Sequence, residues 1–122
     1  MPTTAAGPRD ARVGDLLPLE RSRARRIDAT ALLIPGTADT IAYTDALAAR
    51  ADDFAAWDGR VAVCPPDGSE RHRLLIIDRY GQVYEVHDAP TTDELPDADA
   101  LEEWFRFLAT ACPECGVIDD PV

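Results

Sequence analysis

Hydrophobic and polar positions along this chain change period several times, and each change marks an element. Residues 74–86 read Leu-Leu-Ile-Ile, then Asp-Arg-Tyr-Gly, then an alternation of polar and apolar residues ending at Val86. An unbroken β-favouring run, a turn ending in Gly81 and an alternating arm predict a β-hairpin. The first arm is too uniformly apolar to have a wet face, so it is expected inside a sheet covered on both sides, with the second arm nearer an edge.

The other elements are placed around this hairpin. Leu32, Leu33 and Ile34 predict a short buried strand over residues 29–35, stopped by Pro35 and Gly36. A helix is expected from Thr37 or Asp39 to near Trp57 and Gly59, because Ile41, Leu47, Ala51 and Phe54 recur at helical spacing. Val61, Ala62 and Val63 predict a second buried strand over residues 60–64, ended by Pro65 and Pro66. After a polar loop at residues 87–96, Asp97 or Asp99 caps a terminal helix whose buried stripe is Leu101, Trp104, Phe105, Leu108 and Ala111. The order strand, helix, strand, hairpin, helix predicts an α/β protein: a parallel β-α-β unit extended by an antiparallel hairpin into a mixed sheet, with helices on both faces. Residues 1–12, with Pro2, Gly7 and Pro8, read as a loose tail before a single domain over residues 13–122.

Composition narrows the function classes. The 122 residues carry 23 Asp and Glu against 12 basic residues, all of them Arg, for a net charge of -11. Such a surface repels nucleic-acid phosphates and anionic lipid, so neither partner is expected. Arg21, Arg23, Arg25 and Arg26 form a local exception, read as a solvated edge or loop paired with the chain's own carboxylates, with an anion site as the alternative. No window approaches a membrane span, and residues 1–10 lack the basic-then-apolar order of a signal peptide. With an odd number of cysteines, three, this predicts a cytoplasmic protein whose thiols serve redox or metal chemistry rather than a disulfide framework.

Four segments resemble the redoxin family, the thioredoxin-like group that includes peroxiredoxins. Val13-Gly-Asp-Leu-Leu-Pro18 is similar to that family's opening motif, and Leu32-Leu-Ile-Pro-Gly36 to the strand and turn before its reactive cysteine. Val61-Ala-Val-Cys-Pro-Pro-Asp67 resembles the next strand, and Leu75-Ile-Ile-Asp-Arg-Tyr-Gly81 the hairpin. The resemblance implies a thioredoxin-like fold and a reactive Cys at the head of the first helix, where the helix dipole favours thiolate. Residues 36–43 contain no cysteine, so the usual peroxidase or dithiol step cannot start there. In that fold His72, Cys64 and Thr37 to Thr40 would border one crevice at the carboxyl edge of the parallel strands. Cys64 beside His72 is then a candidate activated nucleophile; the alternative is a half-buried Cys and a solvent-washed His. His87, at the end of the second hairpin arm, is read in the same plain way.

Cys112-Pro-Glu-Cys115-Gly116 is the sharpest chemical motif. Two Cys separated by two residues match the knuckle turn of zinc ribbons, and also the spacing of a redox dithiol. Three readings stand: a displaced thiol–disulfide pair acting on a protein partner or small thiol; half of a zinc site completed by a second copy in a homodimer; or thiols without selected chemistry. Cys112 follows a helix and neighbours Glu114, which disfavours thiolate unless a metal supplies positive charge. No cofactor is required for folding at this length, and zinc is the one metal the motif suggests.

Overall fold

The computed structural model describes residues 11–15 and 28–110, and the chain is a mixed α/β protein. Its elements are β1 (Ala29–Ile34), α1 (Ile41–Ala48), α2 (Ala51–Ala55), β2 (Gly59–Val63), β3 (His72–Ile77), β4 (Val83–Ala89) and α3 (Ala98–Thr110), with a 3-10 turn at Thr92–Glu94. The four strands form one sheet in the order β2-β1-β3-β4. β1 and β2 are parallel, Leu32 beside Ala62; β3 runs antiparallel to both β1 and β4, with Leu75 between Leu32 and Val86. No helix among the described residues is long and apolar enough to cross a membrane.

Burial follows strand position. β1 is buried at every residue and β3 at every residue but Arg73, as their continuous apolar runs require of central strands. β4 is the expected edge. β2 is the other edge rather than a buried strand, and its Val63 is 50 % exposed. The hairpin turn is held by Asp78, whose Oδ1 accepts the Tyr80 and Gln82 N–H groups at 2.8 and 3.0 Å, while Gly81 takes φ +88°.

One face of the sheet carries the main core. Ala31 and Leu33 of β1 and Leu74 and Ile76 of β3 meet Leu47 of α1, Phe54 of α2 and Leu101, Phe105 and Leu108 of α3. Phe54 and Phe105 pack edge to face at 5.1 Å between centroids. The Phe105 ring lies directly over Gly59, where a Cβ would stand 2.3 Å from it. Asp58, at φ +58°, closes the turn between α2 and β2 in the left-handed region that Asp tolerates, and its carbonyl accepts the Ala29 N–H at 3.0 Å, tying the turn to β1.

The opposite face presents Leu32, Ile34, Leu75, Ile77 and Val83, joined by Ala11. Residues 14 and 15 clip onto Val83 through two backbone hydrogen bonds of 2.8 Å. Among the described residues all three helices therefore lie on one face, which corrects the expectation of helices on both. Both predicted helices pack there because Leu47 and Phe54 of the first and Leu101, Phe105 and Leu108 of the terminal one close over the same cluster of Ala31, Leu33, Leu74 and Ile76.

The first helix is also later and more broken than its spacing suggested. It begins at Ile41, which is 70 % exposed, and a tight turn in which the Arg50 N–H donates to the Leu47 carbonyl at 3.0 Å separates α1 from α2. The terminal helix is capped by Asp97, whose Oδ1 accepts the Ala100 N–H at 2.9 Å.

Candidate functional site

The carboxyl ends of β1 and β2 open onto the turn at residues 35–40, the loop at residues 64–71 and the first residue of β3, His72. The loop folds across the end of β1: the Asp67 N–H donates to the Pro35 carbonyl at 2.9 Å and the Gly68 N–H to the Gly36 carbonyl at 2.8 Å. Gly36 is enclosed by this crossing, since a Cβ there would stand 2.4 Å from the Arg71 carbonyl oxygen and 2.6 Å from that of Ser69. Only glycine fits.

His72 is 6 % exposed rather than solvent-washed. Its Nδ1 accepts the Gly36 N–H at 3.0 Å, which assigns the ring proton of the neutral imidazole to Nε2. The ring thereby satisfies a backbone donor that the turn would otherwise bury unpaired. A pairing with Cys64 does not occur. Along β3 alternate side chains face opposite sides, and His72 shares the helix side with Leu74 and Ile76, whereas Cys64 packs with Leu32 and Ile34 on the other. Burial also raises the Cys64 pKa above its ordinary value, so the thiol is held in its protonated, less nucleophilic form.

Beside His72 lies a cleft of about 350 Å³ bounded by the turn before α1 and by residues 90–93. Its chemistry is hydroxyl and carboxylate: Thr37, Thr40 and Thr91 alternate with Asp39, Glu70 and Asp93. Tyr43 closes its floor by donating its hydroxyl proton to the Pro96 carbonyl at 2.7 Å. Burial, and then the neighbouring Asp97 charge, hold that phenol well above the usual tyrosine range, so it stays neutral. At the helix head where the resemblance implies a thiol, the chain offers Thr37, Ala38 and Asp39, all exposed. This edge suits hydrogen bonding to polar or cationic groups and disfavours a thiolate. No group of three or more His, Cys, Asp or Glu side chains among the described residues could hold a metal ion.

Cys112, Cys115 and the Arg21 to Arg26 cluster lie outside the described residues. Cys112 comes two positions after Thr110, the last residue of α3. His87 falls inside β4, which runs three residues beyond Val86, and its shielded Nε2 stands 3.9 Å from Glu85 Oε1.

Two features escaped sequence reasoning. A β-bulge falls between Ile76 and Ile77, where Ile77 pairs with Val83 and Ile76 with Glu85, so that Tyr84 is an extra residue. The bulge aims Tyr84 at α3, where its ring lies 5.7 Å from Trp104 and 5.8 Å from Phe107, and those two lie 5.9 Å apart. Arg50 is the second: its guanidinium bonds Asp53 at 2.9 Å, Asp99 at 2.7 Å and Glu102, joining the α1–α2 turn to α3. Neither contact has a local signal, because the partners of Arg50 on α3 are 49 and 52 residues away.

Comparisons with family models, with curated proteins and with solved structures each return no match. The class of protein is therefore mixed α/β, with four strands in one sheet among the described residues and a polar cleft at the carboxyl end of the two parallel strands.

Proposed function

We propose that this chain is a thioredoxin-like domain of redoxin type that has moved its thiol chemistry from the head of α1 to Cys112 and Cys115, and acts there as a thiol–disulfide redox protein. The observation that carries the reading is the arrangement of its thiols. The helix head has none, Cys64 is half-buried with its thiol protonated, and the remaining two are spaced as a dithiol just past α3. The strand order β2-β1-β3-β4, with β3 antiparallel to a β-α-β unit, supports the thioredoxin-like assignment.

The reaction is a two-electron exchange. The thiolate of one Cys attacks a disulfide of a protein or small-molecule partner, forming a mixed disulfide and releasing one partner sulfur as thiolate. The second Cys then attacks the mixed disulfide, closing the Cys112–Cys115 bond and releasing the other partner sulfur. The partner gains two electrons and two protons, the pair loses them, and a dithiol reductant restores it. A reducing cytoplasm is the proposed setting. The test is trapping: Cys112→Ser and Cys115→Ser variants are incubated with a mixed disulfide of glutathione. One variant should retain a reductant-labile adduct while the parent protein turns it over. Adducts of equal lifetime in both variants and the parent would reject the mechanism.

A second reading has one observation in its favour. In the sequence Cys112 follows the α3 segment and neighbours Glu114, an order that disfavours thiolate unless a bound cation supplies positive charge. In that reading Cys112 and Cys115 bind zinc, with a second copy of the chain supplying the other two thiolates, and the protein is an interaction module rather than an enzyme.

A further inference from the structure

Two buried polar side chains line the cleft beside His72 with hydrogen-bonding atoms still unspent. His72 is 6 % and Thr40 8 % exposed. Because His72 Nδ1 accepts from Gly36, its Nε2–H is the free donor, and it has no partner among the described residues. The Thr40 hydroxyl has none either, since it makes no capping bond to α1. Among the described residues the side-chain polar atom that is both sealed from solvent and unpaired is His87 Nε2, so the atoms of His72 and Thr40 open to the cleft. Deeply set polar groups are satisfied in folded proteins, which makes these two a binding floor.

Three carboxylates stand around that floor. Asp39, Glu70 and Asp93 are exposed at the rim, no Arg lines the cleft, and the ion pairs among the described residues all lie elsewhere. We propose that the cleft binds a small hydroxylated amine, its ammonium group among the rim carboxylates and its oxygen accepting protons from His72 Nε2 and the Thr40 hydroxyl.

Floor and rim together select this class. A compact metal ion does not suit the cleft, because no three His, Cys, Asp or Glu side chains among the described residues converge as ligands and His72 presents a proton rather than a lone pair. A plain diamine satisfies the rim but leaves the buried His72 donor unmatched, which costs affinity. A neutral sugar satisfies the floor and leaves the carboxylates without a counter-charge, while an anion is repelled by the rim. The cleft, about 350 Å³, falls at the low end of the roughly 300–1,000 Å³ of small-molecule sites, which fits a monosaccharide-sized ligand rather than a polymer. The Gly36 bond holds the His72 ring in place, so its donor is oriented before a ligand arrives. This site goes beyond the redox reading and does not depend on it.

The test is calorimetric titration of the full chain with three probes: glucosamine, which carries both features, glucose, which has only hydroxyls, and putrescine, which has only ammonium groups. Glucosamine should bind one to one, with glucose and putrescine each weaker by about 5-fold or more. Thr40→Val keeps the side-chain shape and breaks no capping bond, and should weaken glucosamine about 2- to 10-fold. Asp39→Asn/Asp93→Asn, at two exposed positions, should weaken glucosamine about 3-fold or more and leave glucose unchanged. In NMR spectra of the imidazoles, glucosamine should move the His72 Nε2 resonance and leave that of His87 in place. A Cys112→Ser/Cys115→Ser variant should bind as the parent does. Absence of binding up to about 50 mM glucosamine, well above a millimolar Kd, would overturn the proposal. Glucose or putrescine binding as tightly as glucosamine, parent affinity in Thr40→Val, or an unmoved His72 resonance would overturn it as well.

Discussion

His72 Nδ1 accepts the Gly36 N–H at 3.0 Å, joining the first residue of β3 to the end of β1 across 36 residues of sequence. The bond accounts for a histidine that the sequence left open between a nucleophile's partner and a solvent-washed side chain: the ring is a backbone acceptor at a crowded crossing. His72→Phe would keep the volume and orphan the Gly36 N–H, costing about 1–3 kcal/mol in urea unfolding. His72→Asn, whose side-chain oxygen can accept the same proton, should recover part of the loss. Equal unfolding midpoints for the parent and the Phe variant would mean that the bond contributes nothing.

Gly59 beneath Phe105 is a packing relationship with a sharper signature. Gly59→Ala places a methyl 2.3 Å from the ring and should destabilise by about 1–3 kcal/mol, as overpacked cores do. Phe105→Leu, costly alone, should relieve that clash, so the double variant should be more stable than the sum of the two single effects. Strict additivity in denaturant titrations would place the strain elsewhere.

Arg50 fixes α3 against the α1–α2 turn through three carboxylates. Arg50→Met should lower Tm in dilute buffer, and the difference from the parent should narrow as salt rises and screens the cluster. A difference unchanged by salt would assign the effect to the aliphatic stem.

Burial raises the pKa of two groups in the same sense, Cys64 and Tyr43, making both weaker acids. Each stays protonated in the folded chain at a pH where the unfolded chain has released its proton, so the native state binds more protons and stability falls as pH rises. The contribution is intact below the ordinary thiol value near 9.0 and is lost above it, first through Cys64 and then through Tyr43 near the ordinary phenol value of 10.0. Tyr43→Phe should flatten the upper part of this alkaline decline while losing about 0.5–1.5 kcal/mol at neutral pH with the Pro96 hydrogen bond. Cys64 should alkylate more slowly in the native protein than in urea.

The sequence revealed what depends on local periodicity. The run through Leu74 and Ile77 read as a strand covered on both sides, and β3 is central; of the stripe predicted for α3, Leu101, Phe105 and Leu108 are buried, Trp104 is half-buried and Ala111 lies outside the described residues. An apolar run does not reveal its neighbours, however, so Val61 to Val63 passed for an interior strand although β2 is an edge. Ile41 fitted the helical spacing but precedes the turn at which α1 meets the sheet, and stays in solvent. The side of the sheet each helix takes, the burial of His72 and the bulge that aims Tyr84 all rest on contacts between distant residues. For the candidate site, the resemblance placed Thr37, Thr40 and His72 at one crevice and they do line one cleft, whereas the separation of Cys64 from His72 was not legible, since it turns on which sheet face each side chain takes.

The central claim, a dithiol at Cys112 and Cys115, is tested most directly by native mass spectrometry of protein purified without chelator, with and without reductant. The redox account predicts a metal-free species lighter by one pair of hydrogens, converted by reductant to the full mass and absent from a Cys115→Ser variant. One zinc per dimer, lost together with the dimer on chelation, would contradict it and establish the metal-binding reading instead.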